Sequence, residues 1–425
     1  MNVAAPSGLA PDPVLPQRDL LLDSDFVAGR LAECLARQIQ RCTGVKVKYR
    51  VGESLRVLHR ITVAGQDHLV AARTFPLADA SAARVRLARF SPTTDPEDAF
   101  LDASINTIFW KFPSDPKMGD LKNVVKQPET VPSVFGSRWK KSEVVAYAPE
   151  KCATLRCMDE TGTVLAYAKV YAGDQGKQCA RLYGTLAAGI RGTGAPLEIP
   201  RIFEYIENCG ALLLESIPGM RLDQAGAAGL PNSFSELGSA LAWLHNLPPR
   251  RDFPRFHRLD PERLQNAAFV IGLARPDVAG IAARIADELC ASYGRWQEPL
   301  VYLHGDVHPK NGVLRGGRLV LIDLDQAGLG PAAADLGSMC AALRYNRCTG
   351  QLSDSSEREL KTRCLEGYSR IRELPHPHSL DWHTAAALLA ERALRAVNRV
   401  RPEGLSQLCS VLNHALRIVR GKDTL

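Results

Sequence analysis

Between residues 304 and 328 the chain reads HGDVHPKNGVLRGGRLVLIDLDQAG, which gathers Asp306, Asn311, Asp323 and Asp325 with His304 and His308 around a Gly316-Gly317 pair. Carboxylates and an amide are hard oxygen donors, suited to a divalent cation such as Mg2+ whose remaining positions are filled by phosphate oxygens and water. The β-rich runs flanking the glycines predict a hairpin, since the central residues of a tight hairpin turn need positive φ. Pairing Arg315 with Arg318 sets Val313 opposite Val320 and Asn311 opposite Ile322, next to Asp323. Asn311 and Asp323 would then meet at the open end of the hairpin as metal ligands. Asp306, a few residues before Asn311, would be left to orient a hydroxyl and accept its proton, the division of labour of phosphoryl transfer.

The other polar residues of the stretch have plainer readings. His304 is expected to hold the loop, His308 with Pro309 to shape a turn or touch the acceptor, and Asp325 to help with a second cation or cap the following turn. An iron site beginning at His304 and Asp306 is the competing metal chemistry. It needs a second histidine from a distant strand, and it leaves Asn311 and Asp323 without a role.

HGDVHPKN followed by LIDLD resembles the catalytic and metal-binding segments of the aminoglycoside phosphotransferase and choline kinase family, relatives of the protein kinases with the same Asp-to-Asn spacing. The resemblance implies an α+β, bilobal protein-kinase-like fold, with a small antiparallel β lobe and a larger, mostly helical lobe. It implies that Asp306 is the catalytic aspartate, that Asn311 and Asp323 hold Mg2+, and that ATP is the phosphoryl donor. GPAAADLGSM is similar to the family's following segment, where Asp335 would brace the catalytic loop. YAKVY resembles the third strand and makes Lys169 the cation for the α- and β-phosphates. LLLESIPGMRL resembles the hinge, with the backbone of Glu215, Ser216 and Ile217 against the adenine edge. Two departures accompany these matches. The helix after the third strand, DQGKQCARLYGTL, has no glutamate for Lys169 and offers only Asp174 and Gln178 as stand-ins; the phosphate-covering loop YAPEKCATLR has no glycine, so Lys151 or a backbone amide would serve there.

The elements that must position these residues begin with two similar stretches, VKYRVGESLRVLHRITVAGQDHLVAARTF and VVAYAPEKCATLRCMDETGTVLAYAKVY. Each reads as a strand with a tyrosine (Tyr49, Tyr147), a turn, a second strand, a glycine turn (Gly65, Gly162) and a third strand ending on a cation (Arg73, Lys169), which predicts a duplicated three-strand meander. Between the copies runs a proline-rich, weakly periodic segment, expected to cross irregularly and be pinned by Phe109, Trp110 and Phe112. Helical spacing dominates from residue 234 onward, and Phe26, Leu31, Leu35 and Ile39 predict a helix near the start. These signals divide the chain into a loose tail over 1–19, an N-terminal module over 20–138, a small lobe and hinge over 139–218, and a catalytic and substrate lobe over 219–425.

Composition excludes little else. Hydrophobic residues at 45% and charged residues at 23% are ordinary globular values. The net charge of +7 comes without a basic run interleaved with aromatics, so no nucleic-acid partner is expected, and no apolar run is long enough for a membrane span. Eleven cysteines without a CxxC pair, and no leader pattern at the start, point to a reducing cytoplasmic setting. Oligomeric state is not legible. From residue 331 on, lysine and arginine outnumber aspartate and glutamate, which argues against a polycationic acceptor. The expectation is an ATP- and Mg-dependent O-phosphotransferase acting on a small-molecule hydroxyl, a sugar or glycosylated metabolite. Its rivals are an aminoglycoside or other antibiotic phosphotransferase, and a catalytically silent nucleotide- or metabolite-binding module.

Overall fold

The computed structural model describes residues 8–90, 95, 97–224, 226–316 and 318–422. Two compact units divide the chain: Met1–Ala180, Ile202–Ser216 and Asn398–Val400 form the first, and Arg181–Arg201, Ile217–Val397 and Arg401–Leu425 the second.

The first unit holds two antiparallel sheets of five strands. One contains β1 (Arg41–Arg50), β2 (Ser54–Val63), β3 (Gln66–Thr74), β4 (Ala99–Asp102) and β5 (Thr107–Lys111), in the order β1-β2-β3-β5-β4. The other contains β6 (Lys141–Ala148), β7 (Cys152–Met158), β8 (Val164–Tyr171), β9 (Ile202–Ile206) and β10 (Ala211–Leu214), in the equivalent order β6-β7-β8-β10-β9. Each first strand also carries a bulge, at Gly44/Lys46 in β1 and Val144/Ala146 in β6. Alternation along β7 and β8 buries Ala153, Leu155 and Cys157 with Ala166, Ala168 and Val170, which leaves Thr154 and Lys169 paired on the opposite face. One core serves both sheets, with Leu58, Ala71 and Trp110 from the first copy packed in the same cluster as Leu155, Ala168 and Leu213 from the second.

Each copy is closed by the same latch. Tyr49 donates to Asp12 Oδ2 at 2.6 Å, and the Gly52 N–H reaches the same oxygen at 2.9 Å. In the second copy Tyr147 donates to Asp115 Oδ2 at 2.6 Å and the Glu150 N–H at 2.8 Å. An Asp-Pro pair ahead of each meander supplies the carboxylate, so the repeat begins earlier than its strands.

This geometry corrects three expectations. Part of the expected loose tail is packed: Leu9 and Leu15 are buried, and the Gln17 side-chain amide donates to Thr74 and the Phe75 carbonyl, while residues 1–7 lie outside the described residues. The expected irregular crossing segment contains β4 and β5, which complete the first sheet; strands this short give no readable period. The early helix, Ser24–Leu35, is capped by Asp23 and stops where Ala36 turns left-handed, so Ile39 falls outside it.

The second unit is mostly helical, with long helices at Gly226–Asn246, Pro261–Ala274, Ala279–Ala291, Ala333–Cys348 and Asp354–Ser369. Its strands are short: β11 (Met220–Arg221), β12 (Leu300–Leu303), β13 (Gly312–Arg315), β14 (Arg318–Leu321) and β15 (Gly328–Pro331). β11, β13 and β14 form one sheet and β12 pairs with β15. Near the end of the chain, Pro377–Ala387 runs into a π-helical turn, Leu388–Ala393. The class is the expected α+β one. Among the described residues no helix is long and apolar enough to cross a membrane.

Candidate active site

The β13–β14 hairpin has the predicted register: Arg315 faces Arg318, Val313 faces Val320, and Gly312 faces Leu321. The Ile322 N–H donates to the Asn311 carbonyl at 2.9 Å, which fixes Asp323 beside Asn311 at the open end; Gly317 of the turn lies outside the described residues. Asn311 is buried, and its side-chain Nδ2 donates to the Asp306 carbonyl at 2.9 Å. That bond uses the donor end of the amide and presents Oδ1, the atom a hard cation takes. Asp323 sits at φ 62°, a left-handed conformation that aspartate tolerates better than most residues. The donor set thus fits a magnesium ion shared with phosphate oxygens. Among the described residues no group of three or more His, Cys, Asp or Glu side chains could hold a metal, which leaves a site built by protein alone unsupported.

The loop carrying Asp306 is held from below by one buried carboxylate. Asp335, on the helix Ala333–Cys348, accepts from the His304 N–H at 2.7 Å and the Gly305 N–H at 2.9 Å. His245 Nε2 donates to it at 3.2 Å, with His245 Nδ1 2.9 Å from the Tyr368 hydroxyl. Burial alone would push the Asp335 carboxyl up, but His245, His304 and the Gly305 N–H outweigh it and hold it below its ordinary value. His304 carries the brace onward. Its Nε2 donates to the Ile322 carbonyl at 2.9 Å and its Nδ1 accepts from the Asp306 N–H at 3.3 Å, so the ring ties the loop to the end of β14. Gly305 has φ 76°, and a Cβ there would lie 2.1 Å from the Gln326 carbonyl oxygen.

Around Asp306 the charge is mostly positive. Arg395 Nη2 lies 3.7 Å from Oδ1 and His308 Nε2 lies 3.8 Å from Oδ2. Arg258 donates to the Gly305 carbonyl at 2.9 Å and to Gln326, and approaches Glu391 at 4.0 Å. Arg392 donates to the Ser338 carbonyl at 3.0 Å, while the Ser338 hydroxyl donates to Glu391 at 2.6 Å. Burial pushes the Asp306 carboxyl up, but Arg395, His308, Arg258 and His304 together hold it below its usual value. His308 is pushed down by burial, against the pull of Asp306. Asp325 lies half-buried just past Asp323.

The remaining predicted residues belong to the first unit or its exit. Lys169 is half-buried in β8, with its ammonium 5.9 Å from the Tyr171 ring centroid, and Lys151 is exposed in the β6–β7 turn. Glu215, Ser216 and Ile217 follow β10 without regular structure, where the chain passes from the first unit to the second. The helix after β8, Gln175–Thr193, contains no glutamate, as expected. The neighbour of Lys151 was missed. Glu150, fully buried at φ 57°, receives Arg73, Arg86 at 2.9 Å and Arg56 at 3.3 Å. Arg73 lies opposite Arg56 in its sheet as Lys169 lies opposite Thr154 in the other. The cation of the first copy is therefore occupied by the turn of the second. The repeated Asp-Pro pair was the available signal for this arrangement; Arg258, Arg392 and Arg395 gave none, lying in stretches that read as ordinary helix faces or loops.

Residues 174–374 match the profile of the phosphotransferase enzyme family, APH. That segment, a little under half of the chain, is similar to the family. The matched segment contains Asp306, Asn311, Asp323 and Asp335, and ends before Arg392 and Arg395. No curated protein matches the chain in sequence. Among solved structures, a thermostable mutant of the aminoglycoside phosphotransferase APH(4)-Ia is similar at 14% identity over 67% of this chain and 95% of that one, with a TM-score of 0.49. Choline kinase from Cryptosporidium parvum Iowa II is similar at 12% identity over 72% and 94%, with a TM-score of 0.47. The amicoumacin kinase hAmiN, in complex with AMP-PNP, Ca2+ and Ami, is similar at 13% identity over 65% and 88%, with a TM-score of 0.46.

Proposed function

We propose that the protein is an ATP- and Mg-dependent O-phosphotransferase, a cytoplasmic enzyme that moves the γ-phosphoryl group to a hydroxyl of a small molecule carrying sugar-like hydroxyls. The observation that carries this reading is the Asp306 carboxylate, held ionised by surrounding cations and fixed by Asp335, beside the Asn311–Asp323 pair. Asp306 receives the acceptor hydroxyl as a hydrogen-bond donor and takes its proton as the new oxygen–phosphorus bond forms and the bond to the departing ADP oxygen breaks. Asn311 and Asp323 would hold magnesium, which offsets charge on the phosphates, with Asp325 next to them for a second ion. Lys169 and Lys151 would meet the phosphates, and the Glu215–Ile217 backbone the adenine. His304 and Asp335 hold the loop without touching the reacting atoms.

The experiment incubates wild type and Asp306→Asn with Mg·ATP and a metabolite extract, and reads phosphoryl gain by mass. Turnover falling ~10²- to 10⁴-fold in the variant, the usual span for a positioned base, with ATP binding retained, supports the reading. Equal turnover in the two proteins overturns it.

A further inference from the structure

We infer that the acceptor carries an oxyanion, a carboxylate or phosphate near the hydroxyl that is phosphorylated, and that Arg395, Arg392 and His308 read it. This rests on the phosphotransferase reading of Asp306 and names the substrate class for that site.

The argument begins with charge. Three guanidinium groups, of Arg258, Arg392 and Arg395, surround two carboxylates, Asp306 and Glu391, so the cluster is positive before any ligand arrives. Glu391 is already shared, since it accepts from Ser338 and lies 3.9 Å from Arg392. The Arg395 side chain makes no hydrogen bond to another described residue; its ion pair with Asp306 at 3.7 Å is too long to be one.

Unmet buried polar atoms point the same way: Arg392 Nε is a donor, and His308 Nδ1 becomes one when a bound anion favours the protonated ring or selects that tautomer. Arg392 Nε and His308 Nδ1 are buried and have no hydrogen-bond partner among the described residues. A buried donor without a partner costs free energy, which a ligand oxyanion recovers. The π-helical turn Leu388–Ala393 delivers the two arginines: it precedes Leu394–Asn398 and carries Arg392, with Arg395 following in the next turn. Such turns recur at functional sites. An ammonium-rich acceptor would meet Arg395 and Arg392 as like charges when its hydroxyl approached Asp306. A neutral acceptor would leave the donors unmet.

The test has two arms. In the first, inorganic sulfate is titrated against wild type, Arg395→Gln and Arg395→Lys, with Mg·ADP present throughout, and thermal midpoints are read. The inference expects a saturable upshift in wild type, a half-saturating concentration roughly tenfold or more higher in Arg395→Gln, the scale of one lost charge-assisted contact, and partial retention in Arg395→Lys. No upshift in wild type, or the same curve in Arg395→Gln, overturns it. In the second arm, glucose, glucuronate, glucose 6-phosphate and an aminoglycoside are offered with Mg·ATP. Preference for glucuronate or for glucose 6-phosphate identifies the anion as carboxylate or phosphate and supports the inference when Arg395→Gln removes it through KM. Preference for glucose or the aminoglycoside, undiminished in Arg395→Gln, overturns it. Absence of turnover on every compound, including a metabolite extract, would count against phosphotransfer, while the sulfate arm would still decide the anion site.

Discussion

Replacing Glu150 by glutamine is the sharpest test of how the first copy supports the β6–β7 turn, the one proposed to cover the phosphates. The carboxylate is fully buried, and the side chains of Arg56, Arg73 and Arg86 that converge on it are themselves only 13–14% exposed. Burial already pulls Arg56 and Arg86 below their ordinary values, with Glu150 opposing that pull. Glutamine keeps the shape and removes the charge, leaving three cations with Asp115 as the nearest carboxylate. Breaking one partner out of a buried ion pair costs about 3–5 kcal/mol. The arginines retain some access to water, so the lower end, about 3 kcal/mol, is expected here. That is a large share of an ordinary domain stability of about 5–15 kcal/mol. The assay is urea unfolding followed by tryptophan fluorescence, since Trp110 and Trp139 are buried in the core shared by the two sheets. A double variant, Glu150→Gln with Arg73→Gln, should recover part of the loss, because the two residues are coupled. In activity, the KM for ATP should rise more than the KM for the acceptor, as Lys151 is the next residue of the turn. A Glu150→Gln protein within about 0.5 kcal/mol of wild type, the ordinary range for a surface change, would refute the stabilising role of the Glu150–arginine cluster.

Further outcomes follow from buried groups. Asp335→Asn turns an acceptor into a donor facing the His304 and Gly305 N–H groups. It should cost about 1–3 kcal/mol for each donor left unpaired, and lower kcat more than it raises the KM for ATP; wild-type kcat in a folded variant would argue against the brace. Gly305→Ala should destabilise by about 1–3 kcal/mol from backbone strain alone, before the clash with Gln326, and an unchanged thermal midpoint would contradict the close approach. His59 and His383 are each pushed down to about 4 by burial, from an ordinary value of 6.5. Between those values the unfolded chain binds more protons, so stability falls as pH drops through the window, by ~3 kcal/mol per histidine once it is crossed. Urea midpoints at pH 7 and pH 4.5 should therefore differ less in His59→Leu than in wild type, and equal differences would remove His59 from the account.

The β13–β14 hairpin was legible because its signals are local. A glycine pair and two short β-rich runs determine the register, and the register alone sets Asn311 beside Asp323. The meanders were legible for the same reason, since alternation along β7 and β8 is a pattern of neighbours. What escaped is long-range. Glu150 looks like any turn residue until Arg73 and Arg86, far back in the chain, are brought onto it. The packed segment around Leu15 and Gln17 has the composition of a tail, and its order comes from bonds to Thr74 and Phe75. Arg392 and Arg395 lie on what reads as an ordinary helix, and nothing in residue spacing announces a π-helical turn.

The equivalence of the two sheets bears on how the chain is made. At about 5–20 residues per second of synthesis, the first copy emerges several seconds ahead of the second and can pair its strands before any rival strands of the same order exist. Its own anion has not yet been translated, however. Arg56, Arg73 and Arg86 wait in a nascent first copy without their shared counter-ion until Glu150 leaves the ribosome, so the first copy reaches full stability as a product of the second.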